Sequence, residues 1–356
     1  MAPDLASLGW DAGFAAAYAE WAGGGTGQRP GRVARADLGV CTVLTATGPV
    51  RASLAGSLLA AAGADPAALP CAGDWVVVRA WPDGRITAEA VLPRRSAVVR
   101  RTAGKDSSGQ VLAANVDTAA VVEPIDPSPD LGRVERLLAL AWQSGAQPLV
   151  VLTKADLAAD PVTVAAQVAD ATAGVPVLPV SAERGHGIEP LRGYVRPGRT
   201  LGLLGPSGAG KSTLVNALAR TTVMVTQRVR RADGKGRHTT TYRALIPLPG
   251  GGAVLDTPGL RAVGLLDGVD GLDDAFADLA ALTAACRFSD CRHDTEPDCA
   301  VREALESGEL SHRRWESWQK LQRELAYEQR RQQVRAGARE RAHWRALREA
   351  RHRARP

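Results

Sequence analysis

Several features are scarce in this chain of 356 residues, and each absence excludes a class of protein. No apolar run approaches the roughly 20 residues that a membrane-spanning helix needs. The first 25 residues contain three acidic side chains and no basic cluster, so they do not resemble a secretory signal peptide. The chain has only five cysteines, three of them close together, which argues against a disulfide framework and favours a reducing compartment. We therefore expect a cytosolic protein.

Acidic residues are scarce at the C-terminal end. Residues 311–356 contain 14 Lys and Arg against 5 Asp and Glu, so their net charge is +9, whereas that of the whole chain is +6. This asymmetry predicts that the basic tail, residues 331–356, contacts a polyanion, either nucleic acid or an anionic membrane. A solvated basic helix without a partner is the alternative.

Short β-like segments dominate residues 32–100. Val40–Leu44, Trp75–Val78 and Arg85–Val91 are predicted strands, separated by Gly, Pro and Asp turn residues. Several short strands in so few residues are typical of a small barrel such as an OB-fold, and an SH3-like barrel gives the same pattern. We place a flexible segment, residues 1–31, before this barrel.

Continuous apolar runs replace that pattern after Asn115 and alternate with helical stretches such as Gly132–Trp142 and Ser212–Arg220. The runs are Thr118–Val122, Gln147–Leu152, Val175–Val180, Thr200–Leu204 and Ala253–Asp256. Unbroken apolar strands that alternate with helices predict a mostly parallel sheet covered on both faces. We assign residues 101–265 to this α/β domain and residues 266–330 to a helical domain.

A phosphate-binding loop is predicted at residues 205–212, which match the GxxxxGK[ST] pattern in full. The loop follows a predicted strand and opens a predicted helix, the context that such a loop requires. Its backbone N–H groups can converge on a phosphate, Lys211 can bridge the β- and γ-oxygens with a catalytic role, and the Ser212 hydroxyl can bind Mg²⁺. The predicted nucleotide contacts here are Gly205, Pro206, Ser207, Gly208, Ala209, Gly210, Lys211, Ser212 and Thr213.

The sequence Asp256-Thr257-Pro258-Gly259 directly follows an apolar strand. An acid at a strand end can hold Mg²⁺, directly or through water, and the Gly259 N–H can contact a γ-phosphate. Beside a phosphate loop, we interpret this tetrapeptide as the γ-phosphate sensor.

Two motifs before the phosphate loop predict that the bound base is guanine. Thr153-Lys154-Ala155-Asp156 and Ser181-Ala182 each follow a predicted strand. The Asp156 carboxylate can accept hydrogen bonds from guanine N1–H and N2–H₂, and adenine lacks this pair of donors. The Lys154 stem can cover the base and the Ala182 N–H can contact O6. Thr153, Lys154, Asp156, Ser181 and Ala182 are therefore predicted guanine-site residues.

A metal centre is predicted from three of the cysteines. Cys286, Cys291, His293 and Cys299 offer three thiolates and an imidazole within fourteen residues. This donor set suits a closed tetrahedral Zn²⁺ site, structural rather than catalytic, with one zinc per chain. The other two cysteines, in the barrel, are expected to be small buried hydrophobic residues.

The order of these motifs is unusual, since the base-reading loops precede the phosphate loop and DTPG. Because ligands bind outside the carboxyl ends of the strands in an open sheet, a permuted chain can assemble the same site. Together with Ala114-Asn115-Val116-Asp117, residues 236–241 (Gly-Arg-His-Thr-Thr-Thr) and the cysteine cluster, these motifs carry a resemblance. Over about residues 32–330 the chain resembles the circularly permuted, ribosome-small-subunit-dependent GTPases, the RsgA/YjeQ family.

The resemblance implies an OB-fold, a circularly permuted GTPase domain and a zinc-binding helical domain. It also implies a monomeric GTP hydrolase that binds the small (30S) ribosomal subunit and its rRNA, assists late maturation of the subunit, and hydrolyses GTP faster when bound to it. No membrane partner is expected. The sequence departs from the family at Thr153, where the usual Asn ties the base loop to the phosphate loop and reaches the purine. This departure bears on nucleotide affinity more than on the choice of base.

Residues 221–241 lie where switch I belongs, and there Thr239 is our first choice for a second Mg²⁺-side hydroxyl, ahead of Thr240. Leu260 stands where many GTPases have a Gln that orients the attacking water. We therefore expect His238 to position the water once the partner orders the switch, or the partner to supply the group itself.

The barrel region is basic and poor in aromatic residues. Residues 32–105 contain 10 basic and 5 acidic residues, and only Trp75 and Trp81 are aromatic. A single-strand binder uses more stacking platforms, so this composition favours structured RNA contacted through its backbone and shape. Three alternatives stay open: a barrel that serves only as a domain contact, a GTPase switch acting on a protein or membrane partner, and a non-enzymatic RNA-binding module.

Overall fold

The structure, a computed structural model, describes residues 4–22, 26–101, 109–224, 243–256 and 270–353. Along the chain it contains a closed β-barrel, a six-stranded sheet flanked by helices, and a helical C-terminal part. Within these residues, no helix combines the length and the apolarity that crossing a bilayer requires.

The N-terminal segment forms helices, in contrast to the flexible segment that the sequence predicted. A short 3-10 helix, Ala6–Leu8, precedes helix α1, Ala12–Ala22. The ring centroids of Trp10 and Phe14 lie 4.9 and 5.7 Å from that of Trp75 in the barrel. The segment is mostly Ala and Gly, so its few large apolar residues did not give a recognisable helical pattern. Their burial offsets the entropy lost in ordering the segment.

Five strands close the barrel in the order β1-β2-β3-β5-β4. They are β1 (Gln28–Asp37), β2 (Val40–Thr45), β3 (Gly48–Leu54), β4 (Trp75–Ala80) and β5 (Ile86–Val91), with helix α2 (Gly56–Ala64) after β3. Strands β3 and β5 pair in parallel and the other neighbours pair antiparallel, which gives the OB-fold expected from the sequence. Alternate side chains fill the interior, among them Val33, Val43, Ala52, Val76, Val78 and Ala88.

A two-stranded hairpin, β6 (Ala97–Arg101) and β7 (Gly109–Ala114), leads from the barrel to the sheet. The sheet strands are β8 (Thr118–Pro124), β9 (Gln147–Thr153), β10 (Val177–Val180), β11 (Thr200–Leu204), β12 (Ala244–Pro247) and β13 (Ala253–Asp256). Their order is β10-β9-β8-β11-β13-β12, and all pairs are parallel except β12 with β13.

Helices cover both faces of the sheet, as the unbroken apolar strands predicted. They are α3 (Leu131–Gln143), α4 (Pro161–Asp170), α5 (Ile188–Arg192) and α6 (Lys211–Ala219). Successive residues of β8 belong to different cores: Ala119 and Val121 pack into one, and Ala120 and Val122 into the other. Burial on both faces explains why the strand carries no polar alternation.

The C-terminal part consists of α7 (Asp270–Ala275), α8 (Ala277–Ala284), α9 (Ala300–Ser307) and the long α10 (His312–Arg353). The Cys/His cluster lies around the α8–α9 connection, and no strand occurs in this part among the described residues.

A buried carboxylate joins α10 to the sheet domain. Glu135 of α3 is 1% exposed and accepts hydrogen bonds from Arg313 at 2.9 Å, Arg314 at 3.0 Å and Ser317 at 2.6 Å, all on α10. Arg314 also donates to Asp278 of α8 at 2.6 Å. A buried charge that lost these partners would be costly, so the network fixes α10 against both helices.

Candidate functional site

The predicted nucleotide motifs lie on loops that leave one edge of the sheet. Strand β9 ends in the base-reading motif at 153–156, β10 ends just before 181–182, β11 leads into the phosphate loop, and β13 ends at Asp256. The chain builds one side of the sheet from β8 to β10 and then starts the other side at β11, directly beside β8. Open α/β sheets bind ligands outside the carboxyl ends of their strands at such a reversal.

Glycines shape the phosphate loop between β11 and α6. A Cβ on Gly205 would lie 2.3 Å from the carbonyl oxygen of Val122 in β8, so only glycine fits there. Gly208 and Gly210 have φ angles of 84° and 86°, in the left-handed region that favours glycine. The loop therefore follows a path along which consecutive N–H groups can converge on an anion.

Lys211 is the first residue of α6, and its side chain folds back across the loop. Its Nζ donates to the carbonyl oxygens of Gly205 and Pro206 at 2.8 and 2.7 Å. Ser212 and Thr213 follow in the first helical turn, where N–H groups lack intrahelical partners and the helix dipole is positive. The loop and this helix end together form a site suited to a polyphosphate.

Asp256 lies at the end of the neighbouring strand β13 and is 1% exposed. Burial raises the pKa of its carboxyl group, and the positive charge of Lys211 opposes that shift. Its Oδ1 is buried and has no hydrogen-bond partner among the described residues. A buried acceptor without a donor beside a phosphate loop fits a cation such as Mg²⁺, bound directly or through water.

A hydrogen bond joins the base-reading loop that follows β9 to the one that follows β10. The Ser181 hydroxyl donates to Asp156 Oδ1 at 2.6 Å, and this bond is the largest cause of the lowered pKa of Asp156. Lys154 adopts a left-handed conformation with φ 58°, which redirects the chain into a short 3-10 helix, Ala155–Leu157. The second carboxylate oxygen of Asp156 lies 4.0 Å from Arg184 Nε. Asp156 is thus charged and oriented at neutral pH, as a guanine-reading carboxylate must be.

Thr153 connects the base loop to the phosphate loop. Its Oγ1 donates to the carbonyl oxygen of Ala209 at 2.6 Å, and Thr153 is 2% exposed. The hydroxyl has one proton, which this bond uses, so no donor is left for the purine. Thr153 therefore joins the two loops, although its hydroxyl lacks the second donor that an Asn amide would offer.

The four residues of the predicted metal centre come together. Their ligand atoms all lie within 4.8 Å of one another in the group Cys286, Cys291, His293 and Cys299. The Cys286 and Cys299 sulfurs are 3.9 Å apart, and each is 3.5 Å from His293 Nδ1. Tetrahedral zinc with ordinary bond lengths requires separations of about 3.8 Å between sulfurs and about 3.6 Å from sulfur to nitrogen. The donor set and its spacing therefore fit a structural metal ion.

Cys41 and Cys71 differ from this cluster. Both are buried in the barrel region, and burial raises the pKa of both thiols, that of Cys41 to about 11. Each packs in a cluster of buried hydrophobic residues, and neither belongs to a group of possible metal ligands among the described residues, so these two cysteines have the packing role that the sequence predicted.

Three predicted site residues, His238, Thr239 and Gly259, lie outside the described residues. Asn216 of α6 was not predicted from the sequence. Its Nδ2 donates to Met224 O at 2.8 Å, and its Oδ1 accepts from Met224 N at 2.8 Å, so it fixes the last described residue before residues 225–242. An Asn in the middle of a helix, where its propensity is poor, is the one signal that could have found it.

The Asn115-Val116-Asp117 motif lies at the opposite edge of the sheet, just before β8 begins. The Asn115 side-chain amide donates to Gly73 O at 3.2 Å, and the Asn115 backbone carbonyl accepts from Arg32 at 2.8 Å, both in the barrel region. Asp117 accepts from the Thr200 N–H at 2.8 Å. The motif therefore joins the barrel to the sheet and takes no part in the nucleotide site.

Comparisons with known proteins agree with this arrangement. A sequence profile of the family described as RsgA GTPase matches residues 91–266. The small ribosomal subunit biogenesis GTPase RsgA of Streptomyces coelicolor is 54% identical over 323 residues, which cover 90% of this chain and 86% of that protein. The protein of the same name from Opitutus terrae is 46% identical over 354 residues, covering 96% of this chain and 95% of its own.

Solved structures show the same architecture. YjeQ from Thermotoga maritima superimposes with a TM-score of 0.61 and 28% identity, covering 84% of this chain and 99% of its own. The circularly permuted GTPase YloQ shares the fold with a TM-score of 0.59 at 23% identity, covering 85% and 96%. The permuted strand order, the motif-bearing sheet edge and these matches show that the chain belongs to the RsgA GTPase family.

Proposed function

We propose that this chain is a GTP hydrolase of the P-loop class that binds the small ribosomal subunit and assists its late maturation in the cytoplasm. We expect a monomer that works as a switch, with hydrolysis stimulated by the bound subunit. Membership of the RsgA GTPase family supports the reaction. The relatives at 54% and 46% identity, both called small ribosomal subunit biogenesis GTPases, support the process.

The observation that carries the proposal is the contact between the base loop and the phosphate loop. Thr153 and Ala209 are 56 residues apart in the chain, yet their side-chain hydroxyl and carbonyl are hydrogen-bonded. Asp156 follows Thr153 by three residues and Lys211 follows Ala209 by two, so the two side chains belong to loops that are in contact. One guanosine triphosphate can occupy both loops, whereas an adenine base lacks the N1–H and N2–H₂ donors that the Asp156 carboxylate would accept from guanine.

Each site residue has a role in this proposal. The N–H groups of residues 207–213 bind the β-phosphate, Lys211 bridges the β- and γ-oxygens, and Gly259 contacts the γ-phosphate. Ser212, Thr239 and Asp256 would hold Mg²⁺, which neutralises charge on the transferring phosphoryl group when bound. His238 positions the attacking water. The Lys154 stem covers the face of the base, and the Ala182 N–H contacts its O6.

The Cys/His cluster is proposed to hold one Zn²⁺ with a structural role. Its four donors leave no open coordination position, which distinguishes it from a catalytic zinc site. The sulfur–sulfur and sulfur–nitrogen separations expected around a tetrahedral zinc ion match those among Cys286, Cys299 and His293. Elemental analysis of the purified chain should find about one zinc per protein molecule.

The basic tail is proposed to contact rRNA. Helix α10 extends to Arg353, so the tail residues up to that point continue a helix whose first half is fixed to α3. A fixed basic helix attracts polyanions without paying the entropy of ordering a flexible tail. Binding to ribosomal subunits should weaken steeply with salt, because phosphate contacts release counterions.

A turnover assay tests the central proposal. GTP and ATP hydrolysis are measured with and without purified small subunits, for the wild type and for His238→Ala. We expect GTP to be preferred, the subunits to stimulate turnover, and His238→Ala to lose the stimulation while it keeps GTP affinity. Preference for ATP would refute the assignment of Asp156, and unchanged stimulation in His238→Ala would refute its role with water.

A further inference from the structure

Two loops of the barrel meet beside the end of β3. Ser53 pairs with Val40 at the start of β2 and with Thr87 near the start of β5. The Leu54 N–H donates to Gly39 O, in the β1–β2 loop, at 3.1 Å. The β1–β2 and β4–β5 loops therefore border one outer surface of the barrel. In OB-folds this is the surface on which oligonucleotides bind.

Trp81 is the aromatic side chain that the barrel presents on this surface. The other tryptophan of the barrel, Trp75, is 1% exposed, whereas Trp81 is half-buried at the start of the β4–β5 loop. The Arg79 Cζ lies 4.0 Å from the Trp81 ring centroid, and the Arg85 Cζ lies 5.8 Å from it. The indole thus belongs to a stacked cluster with two guanidinium groups.

The indole orientation is fixed by hydrogen bonds. Its Nε1 donates to Thr87 Oγ1 at 2.8 Å, and the Thr87 hydroxyl donates in turn to the Glu89 carboxylate. The loop backbone is closed by bonds from Trp81 N to Arg85 O at 2.9 Å and from Gly84 N to Trp81 O at 3.0 Å. A platform that is already ordered loses little side-chain entropy on binding, which favours a recognition role over chance exposure.

The charge of the surrounding surface favours RNA as the partner. Thr42 of β2 pairs with Arg35 of β1 on one side and with Arg51 of β3 on the other. Arg51 and Ser53 lie on the same face of β3. Arg35 pairs with Asp37. In the described part of the chain, Arg51 and Arg79 have no carboxylate partner, so their charge is available to a polyanion.

We propose that Trp81, stacked with Arg79 and Arg85, is the platform on which one unpaired base of rRNA stacks, while Arg51 contacts an adjoining phosphate. A single platform on a basic barrel suits structured RNA that presents one base flipped out of a loop or bulge. The inference rests on the proposed function, since it assumes that the small ribosomal subunit is the partner.

The inference is tested by measuring how the full-length protein binds purified small subunits in the presence of a non-hydrolysable GTP analogue. Trp81→Leu keeps apolar bulk and removes the π-face, so its affinity should fall roughly 5- to 150-fold, the range for one stacked base. Trp81→Phe keeps a ring and should retain most of the affinity. Phe288→Leu is the matched control, because Phe288 is 41% exposed, has Arg287 Cζ 5.5 Å from its ring centroid, and lies in the C-terminal part rather than in the barrel. Nucleotide affinity should be unchanged in all three variants.

Photocrosslinking from position 83, in the same loop, identifies the class of partner. We expect the crosslink to form with rRNA. A crosslink to a ribosomal protein, or equal affinity of Trp81→Leu and the wild type, would overturn the inference and leave the proposed function intact. Failure of the wild-type protein to bind small subunits would overturn the proposed function itself.

Discussion

Removing the Thr153 hydroxyl should weaken nucleotide binding without changing the choice of base. Thr153→Val keeps the volume of the side chain and deletes the donor to Ala209 O, a bond of 2.6 Å between buried residues. A buried carbonyl that loses its donor costs about 1 to 3 kcal/mol. Without nucleotide, the loop can turn this carbonyl toward water, whereas a bound triphosphate fixes the loop and prevents that relaxation. The penalty therefore falls mainly on the bound state, and the Kd for GDP should rise roughly 5- to 150-fold.

Fluorescent GDP titration measures this effect, and Thr200→Val is the control. Thr200 is also a fully buried threonine at a strand of the same sheet, but its Oγ1 has no hydrogen-bond partner among the described residues. Its substitution should leave the Kd unchanged. Thr153→Asn, which adds a second donor, should bind GDP at least as tightly as the wild type. Equal Kd values for Thr153→Val and the wild type would show that the tie between the loops does not govern affinity.

Three further changes have defined outcomes. The Ser181 hydroxyl lowers the pKa of Asp156 below its ordinary value of 3.8. When GDP affinity is titrated at falling pH, Ser181→Ala should therefore lose affinity at a higher pH than the wild type does. Glu135→Gln should lower the free energy of unfolding by about 3 kcal/mol in a urea titration, because it deprives the buried Arg314 of a carboxylate partner, whereas the exposed control Glu306→Gln should change it by less than about 0.5 kcal/mol. Cys291→Ser should reduce bound zinc in elemental analysis and increase amide exchange in α9, and full zinc content in this variant would contradict its role as a ligand.

The sheet was predictable from the sequence because its strands are buried on both faces. Residues such as Ala119 and Val122 need no polar alternation, and each run therefore stands out from its surroundings. Strands β1 and β3 of the barrel were missed. They begin with Gln28-Arg29-Pro30-Gly31 and Gly48-Pro49, which are turn signals in a sequence, although pairing at a barrel rim tolerates them.

The site was predictable where one short motif carries the chemistry. The phosphate loop, the base-reading motif and the metal ligands each lie within fourteen residues, so local spacing was sufficient. Contacts between distant segments were not predictable. The bond from Thr153 to Ala209 spans 56 residues, and the pair Glu135–Arg314 spans 179. No periodicity marks such a pair, because it depends on how two elements pack after both have formed.

The permuted order determines which structure lies next to the γ-phosphate sensor. In this chain β13, which ends at Asp256, precedes the helical C-terminal part rather than the base-reading loops. Helix α7 packs tightly on α3, since a Cβ on Gly271 would lie 2.7 Å from the Ala139 carbonyl oxygen. Arg314 then joins α10 to α8 through the exposed Asp278 and to α3 through the buried carboxylate of Glu135. Because separating a buried ion pair costs several kcal/mol, α10 should keep its position on α3 of the sheet domain when the bound nucleotide changes. We therefore expect equal distances between labels on α3 and α10 with GDP and with a non-hydrolysable GTP analogue, and a nucleotide-dependent distance would contradict the fixed position of α10.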